Sequence, residues 1–146
     1  MTALEAVRDF VNTADFEAGT EELADAGARE VREAIRVLLR AHTGVAVDVA
    51  AASDVLDRAS RRAGLRVGFA DGKLAFRSHE RSTVARVLAS VAAAMAEGSW
   101  PRLKACRSDT CQWAFVDGAR NRSRQWCDMA VCGNREKARR FRSRRA

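Results

Sequence analysis

Four cysteines crowd the C-terminal end of the chain: Cys106 and Cys111 form one pair, Cys127 and Cys132 a second, with fifteen residues between the pairs. Two thiol pairs so separated are the arrangement that gathers four thiolates around one tetrahedral Zn²⁺. Zinc has no redox chemistry and accepts four sulfurs at roughly 2.3 Å, so such a site staples a fold and performs no reaction. The gap of four residues inside each pair is wider than the commonest gap of two. Two disulfides, or four unrelated buried thiols, are the alternatives. Met1-Thr-Ala-Leu-Glu5 has neither a basic start nor an apolar run, so it does not read as an export signal. A reducing cytosol has little use for disulfides, which favours zinc and a cytoplasmic location.

The same segment carries the charge. Residues 1–100 hold 13 Lys/Arg and 15 Asp/Glu, whereas residues 101–146 hold 13 and 4, so the net +7 of the chain comes entirely from the C-terminal part. Such asymmetry signals a polyanionic partner, against the blander reading of a solubilising tail. Of these basic side chains, Arg120, Arg122 and Arg124 lie between the cysteine pairs. After Cys132 come Arg135, Lys137, Arg139, Arg140, Arg142, Arg144 and Arg145. Arginine prevails over lysine, which suits bidentate contact with phosphates or guanine edges. On a helix, Arg135, Arg139 and Arg142 would share one face, with Lys137, Arg140 and Arg144 on another. Arg135 adjoins Cys132 and is equally placed to brace the zinc thiolates.

The elements that position these groups follow from periodicity. Thr2 and Glu5 fit a capping box, and Leu4, Val7, Phe10 and Val11 continue a helical stripe. Thr13 to Gly19 reads as a loop. Thr20, followed by two glutamates, would cap a second helix with Leu23, Val31, Ile35, Leu38 and Leu39 inward and Gly44 as its end. A third helix spans about 49–63 and stops at Gly64. Alternating Leu65, Val67 and Phe69, the pair Asp71-Gly72, then Leu74 and Phe76 predict a β-hairpin. A fourth helix covers about 80–97, with Val84, Val87, Leu88, Val91 and Met95 inward and Gly98 as its stop. Its alanine side (Ala89, Ala92, Ala93, Ala96) could admit a partner subunit, although alanines are also simply good helix formers. Pro101 marks the change of composition and the expected boundary between residues 1–100 and 101–146. No stretch reaches the roughly eighteen apolar residues of a membrane span. His42 and His79 lack ligand-spaced companions and read as surface histidines.

In the C-terminal part, Trp113-Ala-Phe115 alternates like a strand, Asp117-Gly118 offers a turn, and Gln125-Trp126 would return as a second strand. Gly133 would permit tight backbone near the metal and Asn134 would cap a basic helix through Phe141. Trp113, Phe115, Trp126, Met129 and Phe141 would form a small core around the zinc. The layout is treble-clef-like: a knuckle, a hairpin, then a helix opened by the second cysteine pair. The fold class expected is α+β and mostly helical, a four-helix N-terminal domain with one β-hairpin followed by this finger.

The run from Cys106 to Cys132-Gly-Asn-Arg135 contains Trp-x-Phe-x-Asp after the second cysteine and Arg-Asn-Arg-Ser-Arg-x-Trp-Cys into the third. It resembles the CGNR zinc finger family. Phe10-Val-Asn-Thr13 resembles the opening of the ABATE domain that usually precedes that finger. Ala119, Gln125 and Asp128 depart from the Ser, Arg and Ser common in the family. The resemblance implies a bacterial, stress-induced transcription regulator. Its metal ligands would be Cys106, Cys111, Cys127 and Cys132, and its arginines would contact duplex DNA. The N-terminal domain would then sense a small-molecule effector or form a homodimer. An RNA-binding zinc protein and a protein-interaction adaptor with a basic tail are the rivals. An enzyme is not expected, since no acid, base and nucleophile converge in the sequence.

Overall fold

A computed structural model describes residues 1–145. Helix α1 (Ala3–Val11) starts at the Thr2–Glu5 capping box, both hydrogen bonds of which form. Its stripe Leu4, Val7, Phe10 and Val11 is buried. A two-residue pair, β1 (Ala14–Asp15) with β2 (Thr20–Glu21), follows. Helix α2 (Ala26–Ala41) therefore begins later than expected, capped by Asp25 and not by Thr20. Thr20 instead pairs with Asp15, and Glu21 turns inward to the guanidinium of Arg32.

Helix α3 (Val49–Ala63) ends at Gly64 and α4 (Thr83–Glu97) at Gly98, both glycines in left-handed conformation. Between them, β3 (Arg66–Ala70) pairs with β4 (Lys73–Arg77) around Asp71 and Gly72, whose φ values of 52° and 73° are those of a type I′ turn. The cap of α4 is Ser82, three residues into the expected helix. Val67 and Phe69 on this hairpin remain exposed, as does Met95 on α4, which was expected inward.

After a turn at Trp100–Arg102, β5 (Leu103–Ala105) pairs antiparallel with β6 (Ala114–Val116). The partner of the 114–116 strand thus lies upstream. Gln125-Trp126 forms no strand, although Gln125 accepts a hydrogen bond from the Arg107 amide. A wide helical turn at Met129–Gly133 leads into α5 (Asn134–Arg145).

One hydrophobic core joins both parts of the chain. Val7, Phe10 and Val11 of α1, Ile35 and Leu39 of α2, and Val91 and Ala94 of α4 pack with Leu103, Ala105 and Ala114 from β5 and β6. Apolar burial thus continues across Pro101, because β5 lies against α2 and β6 against α1. Among the described residues no helix is long and apolar enough to cross a membrane.

Candidate metal centre

The first knuckle is the connection between β5 and β6. Strand β5 delivers Cys106, whose amide donates to Trp113 O at 2.9 Å, while the amides of Cys111 and Gln112 both turn back to Ser108 O. Gln112 adopts φ 54°, the left-handed bend that sends the chain from Cys111 into β6. The second knuckle is set by Asp128. Its carboxylate accepts from Ala130 N at 2.8 Å and its carbonyl from Cys132 N at 2.8 Å. Asp128, not Asn134, is therefore the cap, and Asn134 donates its side-chain amide back to Ala130 O. Gly133 has an ordinary φ; its lack of a side chain matters because a Cβ there would run into the Met129 sulfur.

The four Sγ atoms lie within 4.8 Å of one another, with 3.6 Å between Cys111 and Cys127 and 3.6 Å between Cys127 and Cys132. A disulfide requires roughly 2.05 Å, and all four thiols are free. Four sulfurs each roughly 2.3 Å from a tetrahedral centre would stand roughly 3.8 Å apart, which these separations match. Three of the four residues are buried and Cys127 is half-buried. Cys106 is pushed down by the S–H of Cys111 and by neighbouring backbone N–H groups. Cys111 is pushed up by its contact with Cys106 and by burial, and Cys127 by burial and the Cys106 charge. A bound dication deprotonates coordinating thiols outright. The donor set fits one structural Zn²⁺, and with four thiolates no coordination position remains for water or substrate. The C-terminal part is therefore a four-cysteine zinc finger. Residues 102–145 match the family model of the CGNR zinc finger. No curated protein matches the chain.

Around the cysteines lies a polar frame. Lys104 and Asp117 are an almost fully buried pair, 5% and 0% exposed, joined at 2.7 Å. Lys104 Nζ also donates to the carbonyls of Arg122 and Arg124, and Asp117 accepts from the amides of Ala119 and Arg124. Burial pushes the Asp117 carboxyl up, but Lys104 and those amides outweigh it and hold the group below its ordinary value. The pair shapes the loop 117–124, where local turn residues alone had been expected to act. Arg124 donates to Cys127 O at 2.6 Å and lies over the Phe115 ring at 4.6 Å, so it braces the second cysteine pair. Arg135 donates to Cys132 Sγ at 3.1 Å and also pairs with Glu17 in the β1–β2 turn.

The N-terminal helices dock the finger through its backbone. Asn12 donates to Ala114 O at 3.0 Å and accepts from Ala114 N at 2.8 Å, acting as an added rung beside β6. Arg36, 2% exposed, spans from Val11 O to Gln112 O while its Nε holds Glu33. Thr43 Oγ1 donates to Ala105 O, and His42 Nδ1 contacts Leu103 O at 2.7 Å with its ring edge-on to Trp100. His42 is thus a half-buried docking residue, while His79 is exposed as expected. The signal for Arg36 was present: Arg32, Arg36 and Arg40 recur every fourth residue beside the Ile35–Leu39 stripe. Lys104 and Asn12 gave no comparable local sign.

Of the expected metal-site aromatics, Trp113 and Trp126 pack on the cysteine cluster. Phe115 is buried under Arg124, but Met129, in the turn before α5, stays exposed, as does Phe141 on α5, which buries none of its residues. Arg120 and Arg122 sit exposed in the loop, with Arg122 at φ 53°. On α5, Arg139 and Arg140 both pair with Glu136; Lys137, Arg142 and Arg144 are exposed.

Proposed function

We propose that this protein is a DNA-binding regulator whose zinc finger and α5 contact duplex DNA. The observation that carries the reading is the excess of +9 confined to residues 101–146, displayed on a metal-stapled scaffold. Helix α5 buries no side chain, so folding gives its arginines no core to serve. Twelve residues is short for a helix standing alone in water, and contact with a polyanion would stabilise it. Arg120, Arg122, Lys137, Arg139, Arg140, Arg142 and Arg144 are the candidate contacts. Arg124 and Arg135 hold the metal site and act on binding indirectly. Zinc contributes rigidity and no chemistry.

A groove of about 740 Å³ between α1 and α4, lined by Ala6, Phe10, Phe76, Val87 and Ala93, supports a second role for the N-terminal helices. Its volume and apolar lining suit a small apolar effector.

Gel-shift titrations of the zinc-loaded chain against duplex DNA, duplex RNA and single strands test the main reading. Duplex DNA should bind most tightly, with a log–log salt slope of about −0.9 per phosphate contacted. Tighter binding of duplex RNA at equal salt favours the RNA reading. Deletion after Arg135 without loss of affinity overturns α5 as the binding element and favours the adaptor.

A further inference from the structure

The charges of α5 are divided between two faces. At 100° per residue, Arg135, Arg139 and Arg142 project to one side, and Lys137, Phe141 and Arg144 to the opposite side. The first face looks into a cleft of about 670 Å³. Its facing wall is the first zinc knuckle, with Arg107, Ser108 and Thr110, and the α2–α3 turn at Gly44–Ala46 adds a third side. Lys137, Phe141 and Arg144 lie outside it.

The acidic groups in the cleft are already matched. Asp109 is held by Arg40, and Glu136 by Arg139 and Arg140 at 2.7 and 3.5 Å. Arg107 has only the side-chain amide of Gln125 as a partner at 3.1 Å, and Arg142 makes no ion pair among the described residues. Two cations therefore line the cleft from separate elements, neither paired with a carboxylate among the described residues. The Ser108 and Thr110 hydroxyls, 3.2 Å apart, stand beside Arg107 as neutral donors.

We propose that this cleft grips one phosphodiester strand of the duplex, with Arg107 and Arg142 reaching its phosphates from opposite walls. The inference rests on the DNA reading and specifies its geometry. The dimensions favour a strand over a lone anion. From Arg139 to Arg142 the helix rises roughly 4.5 Å, and Arg107 adds a cation on the opposite wall. That arrangement reaches about two adjacent phosphates of one strand, which stand farther apart than their axial rise of roughly 3.4 Å. A single phosphate would engage one or two of these arginines and leave the others facing one another. In this geometry α5 lies along the backbone, and its cleft-side arginines fix position without reading sequence. Glu136 is then an internal competitor that occupies Arg139 and Arg140 until phosphate replaces it.

Fluorescence anisotropy with a short labelled duplex, measured across a salt series, tests the assignment. Zinc content and circular dichroism of each variant confirm folding. Arg107→Ala and Arg142→Ala should each weaken binding several-fold and reduce the salt slope by about 0.9. Glu136→Gln, a gain that misfolding cannot mimic, should tighten binding and steepen the slope. Lys73→Ala, on β4 and outside the finger and the cleft, should change affinity less than twofold. If the wild type binds duplex DNA but Arg107→Ala costs no more than Lys73→Ala, or Glu136→Gln fails to tighten binding, the cleft is wrong while the DNA reading stands. If the zinc-loaded wild type binds no duplex even at low salt, the DNA reading itself fails and takes the cleft with it.

Discussion

The helices of residues 3–97 and the finger of residues 102–145 are held together by different means. Val7, Val11, Ile35, Leu39 and Ala94 are fully buried and belong to one aliphatic core. The finger contributes Leu103, Ala105 and Ala114 to that core, but beyond β5 and β6 its interior is four thiols, a buried Lys–Asp pair and two tryptophans. Non-directional burial tolerates changes of similar volume. A polar interior fails when one partner is removed, because the other is left buried and unsatisfied. The two parts should therefore respond differently to the same kinds of perturbation, and each response measures how far they are coupled.

Removing zinc should have the largest effect. Structural zinc contributes on the order of 10 kcal/mol to folding in isolated finger peptides at neutral pH. Chelation, or Cys106→Ser, should abolish hydrogen-exchange protection across 106–133 while α1–α4 keep most of their helical signal. Because Leu103, Ala105 and Ala114 share the helical core, the thermal midpoint of the helices should also fall. An unchanged midpoint would show the two parts to be independent, and complete loss of helix signal would show the finger to be indispensable to the whole.

Next in size is the buried ion pair. Lys104→Met leaves the Asp117 carboxylate and two backbone carbonyls without their cation, a loss of about 3–5 kcal/mol. The double variant Lys104→Met/Asp117→Leu removes both charges but also frees the Ala119 and Arg124 amides, so it should recover only part of it. Thermal unfolding of zinc-loaded variants gives both numbers. A single-variant loss below about 1 kcal/mol would place this pair with weak surface pairs and remove the contrast between the two interiors.

What the sequence reveals divides along the same line. Helix α3 and the β3–β4 turn match their expected positions, because apolar spacing, Gly64 and Asp71-Gly72 are local signals. The start of α2 does not, since Thr20 and Asp25 are equally good caps and the choice is settled by Glu21 reaching Arg32 eleven residues away. The four zinc ligands are evident from residue type and spacing alone. Their supports are not: Asn12 meets Ala114 across 102 residues, and Lys104 finds Asp117 only once β5 and β6 have paired. Hydrogen bonds between remote segments leave no periodic trace, and a lone buried lysine looks like a surface one.

The Asn12 contact tests that remote coupling directly. Asn12→Ala leaves Ala114 N–H and C=O without partners in a part-buried setting, at a cost of about 1–3 kcal/mol. Its signature should be faster amide exchange at Ala114 and neighbouring β6 residues, with α3 unaffected. Equal acceleration throughout the chain would mean that Asn12 acts through global stability alone.

The smallest effect is the pH dependence of Glu21. The hydrogen bonds from Arg32 are the chief cause holding its carboxyl at about 2, below the ordinary 4.5, with the Leu23 amide assisting. A carboxyl whose value is depressed by folding contributes stability above its unfolded value and loses it as pH falls through the folded one. The contribution should therefore be complete above about pH 4.5 and disappear between there and about pH 2. Acid also protonates the zinc thiolates, so the pH profile of the wild type alone confuses metal loss with this pair. Glu21→Gln separates them, because both proteins lose zinc over the same range while only one carries the carboxylate. The difference in thermal midpoint between wild type and Glu21→Gln should be small and constant above pH 5 and shrink towards zero in strong acid. Arg32, 3% exposed, keeps Glu33 and Thr13 as partners in the variant, so the guanidinium is not stranded and the difference reports the lost charge. A gap that widened on acidification would mean that Glu21 takes up its proton more readily in the folded chain, the opposite of what its two hydrogen bonds to Arg32 require.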